Sequence, residues 1–140
     1  MAFKVQRVDT WAASLEDTPG SLAGKLIALS KAGINLDFIV ARRAPDKPGT
    51  GVVFAAPVQG AAATRAAKKA EFQPTKTLHT VQIQGPSKVG QGAILIRALA
   101  DAGLNLRGVS AAAIGSKFVA YIALDTTADA AKAVRVLRAL

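Results

Sequence analysis

Apolar positions along this chain follow two alternating periods, and the switch between them recurs. Residues 5–15 (VQRVDTWAASL) read as a strand, with imperfect alternation. Leu22, Leu26 and Leu29 follow at helical spacing with Lys25 and Lys31 on another face, which predicts a helix over 19–32. Thr18 suits its N-cap, Pro19 its first helical position and Gly33 its stop. Residues 34–42 (INLDFIVAR) predict a β-branched strand, 44–51 (APDKPGTG) a hairpin loop and 52–57 the returning strand. The Ala-rich stretch 58–70 predicts a second helix. Residues 71–77 supply a last strand, at a sheet edge because Pro74 has no N–H to donate. The order β-α-β-β-α-β is the split βαβ of a ferredoxin-like α+β sandwich, with helices on one face of the sheet.

The pattern then repeats. Shifted by 70 residues without gaps, Gly20 falls on Gly90, Ala23 on Ala93, Leu29 on Leu99, and AGINL (32–36) on AGLNL (102–106). Roughly 14 of the 62 positions in 9–70 match 79–140, which marks a duplicated unit. The second copy predicts strand 78–84, helix 89–102, strands 104–112 and 117–125, and helix 127–139. We therefore expect two tandem ferredoxin-like units packed side by side, 1–72 and 73–140, each near the lower size limit for folding alone. No residues remain after Leu140 for a fourth strand in the second unit. The offset makes residues 1–8 the candidate to fill that edge.

Composition narrows the function. The chain of 140 residues is 51% apolar and 19% charged, which is globular rather than disordered. The longest apolar runs fall short of a bilayer span, and the N-terminus lacks the pattern of a secretory signal. Cysteine is absent, which excludes disulfides, thiolate zinc sites and thiol nucleophiles, and fits a cytoplasmic location. The net charge of +9 favours an anionic partner, but the basic residues are dispersed and no denser than the pairs Arg42-Arg43 and Lys68-Lys69. With 5% aromatics there is no stacking platform, so nucleic acid is disfavoured as a partner.

No paired acids, Ser/His/Asp set or phosphate-binding Gly-rich motif stands at catalytic spacing, and His79 is the only histidine. We expect no enzyme, no catalytic residue, no metal and no cofactor. The Gly-rich 81–93 occupies the place of the acylphosphatase loop, but the nearest arginine, Arg97, lies inside the following helix.

The stretch DTPGSLAGKLIALSKAGIN (17–35) is the candidate for binding chemistry. A helix start leaves backbone N–H groups unpaired at a positive dipole end, which suits a carboxylate. Gly20 gives a ligand room and Leu22 offers apolar contact. Asn35 carries both donors and an acceptor, and Asp17 can neutralise an ammonium. Pro19, Ser21 and Ile34 complete the same two turns. One free amino acid has both charged groups. The same residues also make an ordinary capped helix start and a helix stop, so both readings stay open.

These residues resemble the ACT domain, a regulatory amino-acid-binding module. Asp-x-Pro-Gly-x-Leu-Ala, the Leu-x-x-Leu helix and Ala-Gly-Ile-Asn carry the likeness in the first copy. The second copy keeps Gly90, Ala93 and Gly103-Leu-Asn105 but has Val89 and Ser87 in place of Pro19 and Asp17. A chain of two such units is similar to stand-alone tandem ACT-domain proteins of the glycine-cleavage-operon regulator type. The resemblance implies a homodimer, an amino-acid effector held at the seam between units, and a target enzyme or regulator on another chain. It implies ligand contacts at Leu15, Asp17 and Asn35; Leu15 departs from the polar residue some members have. The second copy offers Gly90, Gln91 and Asn105. Alternatives are an interaction subunit with empty sites and, less favoured, a basic nucleic-acid-associated protein.

Overall fold

The computed structural model describes residues 3–75 and 78–140; parts of the expected strands at 1–8 and 71–77, namely residues 1–2 and 76–77, lie outside them. In chain order the elements are β1 (Lys4–Val8), β2 (Trp11–Glu16), α1 (Ser21–Lys31), β3 (Phe38–Arg43), β4 (Thr50–Ala56), α2 (Ala61–Lys69), β5 (Gln73–Pro74), β6 (His79–Pro86), α3 (Gln91–Asp101), β7 (Gly108–Ile114), β8 (Lys117–Leu124) and α4 (Thr127–Arg138). They form two antiparallel sheets, β3-β4-β2-β5 and β7-β8-β6-β1. The strand order is the same in both, with β1 standing where β5 stands in the other.

The chain thus divides into two compact units. One is Asp9–Thr75 and the other joins β1 to 78–140. The boundary falls after Val8 and after Thr75, not between 72 and 73, because a strand goes with the sheet that takes its hydrogen bonds. The same division breaks the expected strand 5–15. Its first half runs antiparallel to β6, with Val5 opposite Ile83, and its second half pairs with β4, with Trp11 opposite Ala55. Asp9 and Thr10 form the passage between the two.

Each unit has its own core. Trp11, Ala13, Leu29, Val53, Ala55, Ala67 and Phe72 are buried in the first; Val5, Val81, Ile83, Leu95, Leu99, Ile122, Leu124, Ala133 and Leu137 in the second. Sheet positions two apart face the same way, so one face of each sheet carries the apolar residues that meet its helices. In the second unit the opposite face carries a polar row. Gln6 Nε2 donates to Gln82 Oε1 at 2.9 Å, Gln82 Nε2 to the Tyr121 hydroxyl at 2.8 Å, and Gln84 Nε2 to Gln82 Oε1 at 2.9 Å. The Arg138 guanidinium of α4 donates twice to the Val5 carbonyl, at 2.9 and 3.2 Å, on the free side of β1.

Two local expectations need correction. Helix α1 starts at Ser21, not Pro19, and its N-cap is Gly20, whose φ of 91° is left-handed and only glycine adopts freely. Thr18 is therefore not the cap; its hydroxyl meets the Ser21 hydroxyl at 2.8 Å. The strands after α1 and α3 start at Phe38 and Gly108, four residues later than expected at 34 and 104. Gly33 and Gly103, both at φ 77°, reverse the chain, and the N–H groups of Ile34 and Leu104 return to Leu29 and Leu99 carbonyls. Residues 34–37 and 104–107 are used in that crossing.

Removing residues 1–7 should strip amide-exchange protection from Thr80–Gln84 and Val119–Ile122 while leaving Val52–Ala55 protected. Equal loss in both sets would refute the dependence of the second unit on β1.

Candidate functional site

Strands β2 and β3 both run antiparallel to the β4 that separates them, so they are parallel to each other. A helix joining two parallel strands must travel back along the sheet. Helix α1 is that return, and its eleven residues span about 16 Å at about 1.5 Å each. Its start lies at the end of the sheet where Glu16 is opposite Thr50 and the Asp17 N–H bonds the Gly49 carbonyl. Its end lies where Asp37 N–H bonds the Ala56 carbonyl. Asn35 is therefore at the opposite end of the unit from Asp17 and Gly20. The first turn of α1 and the Asn35 carboxamide therefore do not line one site within this unit.

The Asp17 carboxylate is also engaged. It accepts from Arg43 Nε at 2.7 Å, linking the β2–α1 turn to the end of β3. Arg43 is largely exposed and Asp17 partly so, and the pair contributes at most about 1 kcal/mol. Pro19 is exposed beside it. Leu22 and Ile34 pack against the core of the unit, which accounts for both without a ligand.

The start of α1 opens onto a groove of about 540 Å³. Leu15, Gly20 and Ser21 of the expected set line it, together with Glu16, Gly24, Lys25, Ala28 and Glu71, which the sequence did not suggest. Gly24 is the informative addition. It sits inside the helix, where glycine costs about 0.5–1 kcal/mol relative to alanine. No neighbouring atom lies within 4 Å of where its Cβ would be, so packing does not require the glycine. With Gly20 four residues earlier, it leaves a bare strip along the N-terminal half of α1. A mid-helix glycine was the available signal for this wall.

The groove carries both signs of charge. The positive end of the α1 dipole lies at Gly20 and Ser21. The Lys25 ammonium donates to the Ala70 carbonyl at 2.8 Å, where it caps the C-terminus of α2. Glu16 and Glu71 supply carboxylates. Glu71 has φ 69°, the position that glycine takes after α1 and α3, and it is the only non-glycine with positive φ among the described residues. The turn is held because the Phe72 N–H bonds the Ala67 carbonyl and the Phe72 side chain is fully buried. A side chain there costs about 1–2 kcal/mol. Nothing in the sequence AEF announced that strain.

In the second unit Gly90 is again a left-handed N-cap, at φ 82°. Gln91 is buried, and its Nε2 donates to the Pro86 carbonyl at 2.7 Å, so its amide closes the β6–α3 turn. Asn105 lies exposed at the far end of α3, as Asn35 does beyond α1. Gly90 and Gln91 are thus brought together and Asn105 is not. Among the described residues no cluster of three metal-ligating side chains occurs, and no helix is long and apolar enough to cross a membrane.

The chain matches no family model and no curated protein. Solved structures share its architecture. Protein BT0572 from Bacteroides thetaiotaomicron superposes with a TM-score of 0.76 at 18% identity, over 94% of this chain and 88% of that one. The ligand-free regulatory subunit of aspartate kinase from Thermus thermophilus gives 0.64 at 20% identity, over 98% and 95%. E. coli aspartokinase III in complex with lysine and aspartate gives 0.57 at 16% identity, over 99% of this chain and 32% of that one. The fold, two ferredoxin-like units in tandem, is the architecture of these structures. At these identities the likeness carries the fold alone.

Gly24→Ala should stabilise the first unit by about 0.5–1 kcal/mol, whereas Gly20→Ala should cost about 1–2 kcal/mol through its left-handed backbone. Urea denaturation reads both; a loss at Gly24 would mean that the bare strip is required by the fold itself.

Proposed function

We propose that the chain is a non-catalytic regulatory module, acting in the cytoplasm, that binds an amino-acid effector at the seam between ACT-like units. One observation carries the reading: the start of α1 is kept bare by Gly20 and Gly24 beside a groove that the unit's own side chains leave open. The α1 N-terminus suits the effector's carboxylate, and Glu16 and Glu71 suit its ammonium. Leu15 supplies apolar contact. Since Asn35 lies at the other end of its own unit, its carboxamide serves the groove of a second copy of the chain, in a homodimer. Occupancy then changes how units pair, and a target enzyme or regulator on another chain reads the change. The fold likeness to aspartate kinase regulatory subunits supports a regulatory role.

A thermal-shift screen with the twenty amino acids tests this. One of them should raise the melting temperature, since a ligand at about a hundred times its Kd adds about 2.7 kcal/mol. The shift should vanish in Gly24→Leu, which fills the groove, and shrink in Asn35→Ala. Silence with all twenty would overturn the reading and leave an interaction subunit with empty sites.

A further inference from the structure

The second unit has a larger groove, of about 630 Å³, on the sheet face away from its helices. Strand register shows how it is built. Lys4 lies opposite Gln84, which lies opposite Val119; two residues along, Pro86 lies opposite Lys117, which lies opposite Ile114. These two rows are two residues apart on β6 and β8, so their side chains project from one face. Pro86, Ile114 and Val119 give that face an apolar floor, and the β7–β8 turn closes one end. Ile114 is 79% exposed, among the most exposed large apolar side chains of the chain.

The charge around this floor has one sign. Lys4 and Lys117 stand diagonally across the groove, two strands and two residues apart, or about 12 Å between their Cα atoms. That distance lets two extended lysine side chains converge on one anion from opposite sides. Among the described residues, Gln84 and Ser116 are the remaining polar members of the lining, and no carboxylate belongs to it. A zwitterion would bring an ammonium group between two lysines with no acid to receive it.

We propose that this groove binds a small apolar carboxylate, with an aryl or branched-alkyl body on the Pro86–Val119–Ile114 floor and its carboxylate between Lys4 and Lys117. The volume suits a ligand of that size. Burial of the apolar body supplies most of the affinity, and the exposed lysines supply orientation and the choice of sign. The site discriminates against the matching amino acid, so 2-oxo and unsubstituted acids bind in preference. It is independent of the amino-acid groove on α1, which has its own carboxylates and lies in the other unit.

The test is an amide-resonance titration of the full chain with 3-phenylpropionate, with phenylalanine and phenethylamine as comparators. Saturable shifts at Gly85, Ser116 and Val119 are expected with 3-phenylpropionate, with binding at least tenfold weaker for phenylalanine and none for phenethylamine. The Lys4→Gln/Lys117→Gln double variant, at exposed positions, should keep its spectrum and lose at least tenfold in affinity. Ile114→Asp should lose at least as much. Absence of saturation, shifts centred elsewhere, equal binding of the amine, or affinity unchanged in the double variant would each overturn the proposal. Shifts at Gly20, Ser21 and Gly24 with amino acids would report only on the other groove.

Discussion

The pairing of β1 with β6 is the constraint on which the second unit depends. Without it, the sheet β7-β8-β6 ends at a bare edge and Val5 leaves the core. The pairing is fixed from several directions. The Phe3 ring lies so close over Gly85 that a Cβ there would come within 2.6 Å of it. Gln6 and Gln82 are directly opposite and hydrogen-bonded, and Arg138 holds the Val5 carbonyl. A slip of one residue would turn Val5 to the polar face and Gln6 to the core, so the register is strongly specified. The unit is complete only when the first strand of the chain meets the last helix. The intervening unit, Asp9–Thr75, needs no such long-range closure. Its contacts are more local, and the entropy of joining distant segments falls on its neighbour.

This constraint also explains which features of the fold were legible. The repeat was visible because α1 and α3 obey one offset, Ser21–Lys31 against Gln91–Asp101, and helix periodicity survives substitution. The place of β1 beside β6 was legible in the same offset, which sets residues 1–8 against 71–78. The offset fails after β3, where the first hairpin uses residues 44–49 and the second only 115–116. Helices α2 and α4 therefore start 66 residues apart, at Ala61 and Thr127, and chance Ala and Arg identities hid the change. The strand starts were misplaced because Ile34, Leu36, Leu104 and Leu106 are apolar for another reason. They cover the core from the crossing segments, and a β-like composition does not reveal that their backbone groups are not yet in a ladder.

The candidate site was legible in part, for a topological reason. The sequence marks both ends of α1 clearly, with Gly20 before it and Gly33-Ile-Asn35 after it. Adjacency in sequence is not adjacency in space when a helix of about 16 Å separates the marks. Only the order β3-β4-β2 reveals that these ends cannot meet within a unit. Asp17 looked available because nothing in the sequence shows that Arg43 returns to it through the hairpin. Glu71 was invisible because it is brought to the groove by the turn after α2. Its backbone is one that sequence rules assign to glycine or asparagine.

The two grooves differ in the way duplication permits. Two copies of one fold share a helix start, a left-handed glycine and a turn, yet the first copy opens its groove beside α1 and the second opens one on the other face of its sheet. In the second copy the amide of Gln91 is used by the Pro86 carbonyl, which closes the β6–α3 turn from within. Position 21 in the first copy holds a serine whose hydroxyl meets that of Thr18, and the neighbouring groove stays open. The swapped strand adds what the first copy lacks, since Lys4 comes from β1 and stands beside Gln84 only because β1 occupies that edge. In the first sheet the corresponding edge, Gln73–Pro74, is two residues long, and the 70-residue offset sets Pro74 against Lys4. Exchange of the edge strand thus changes the charge of one sheet face while the cores keep the same architecture.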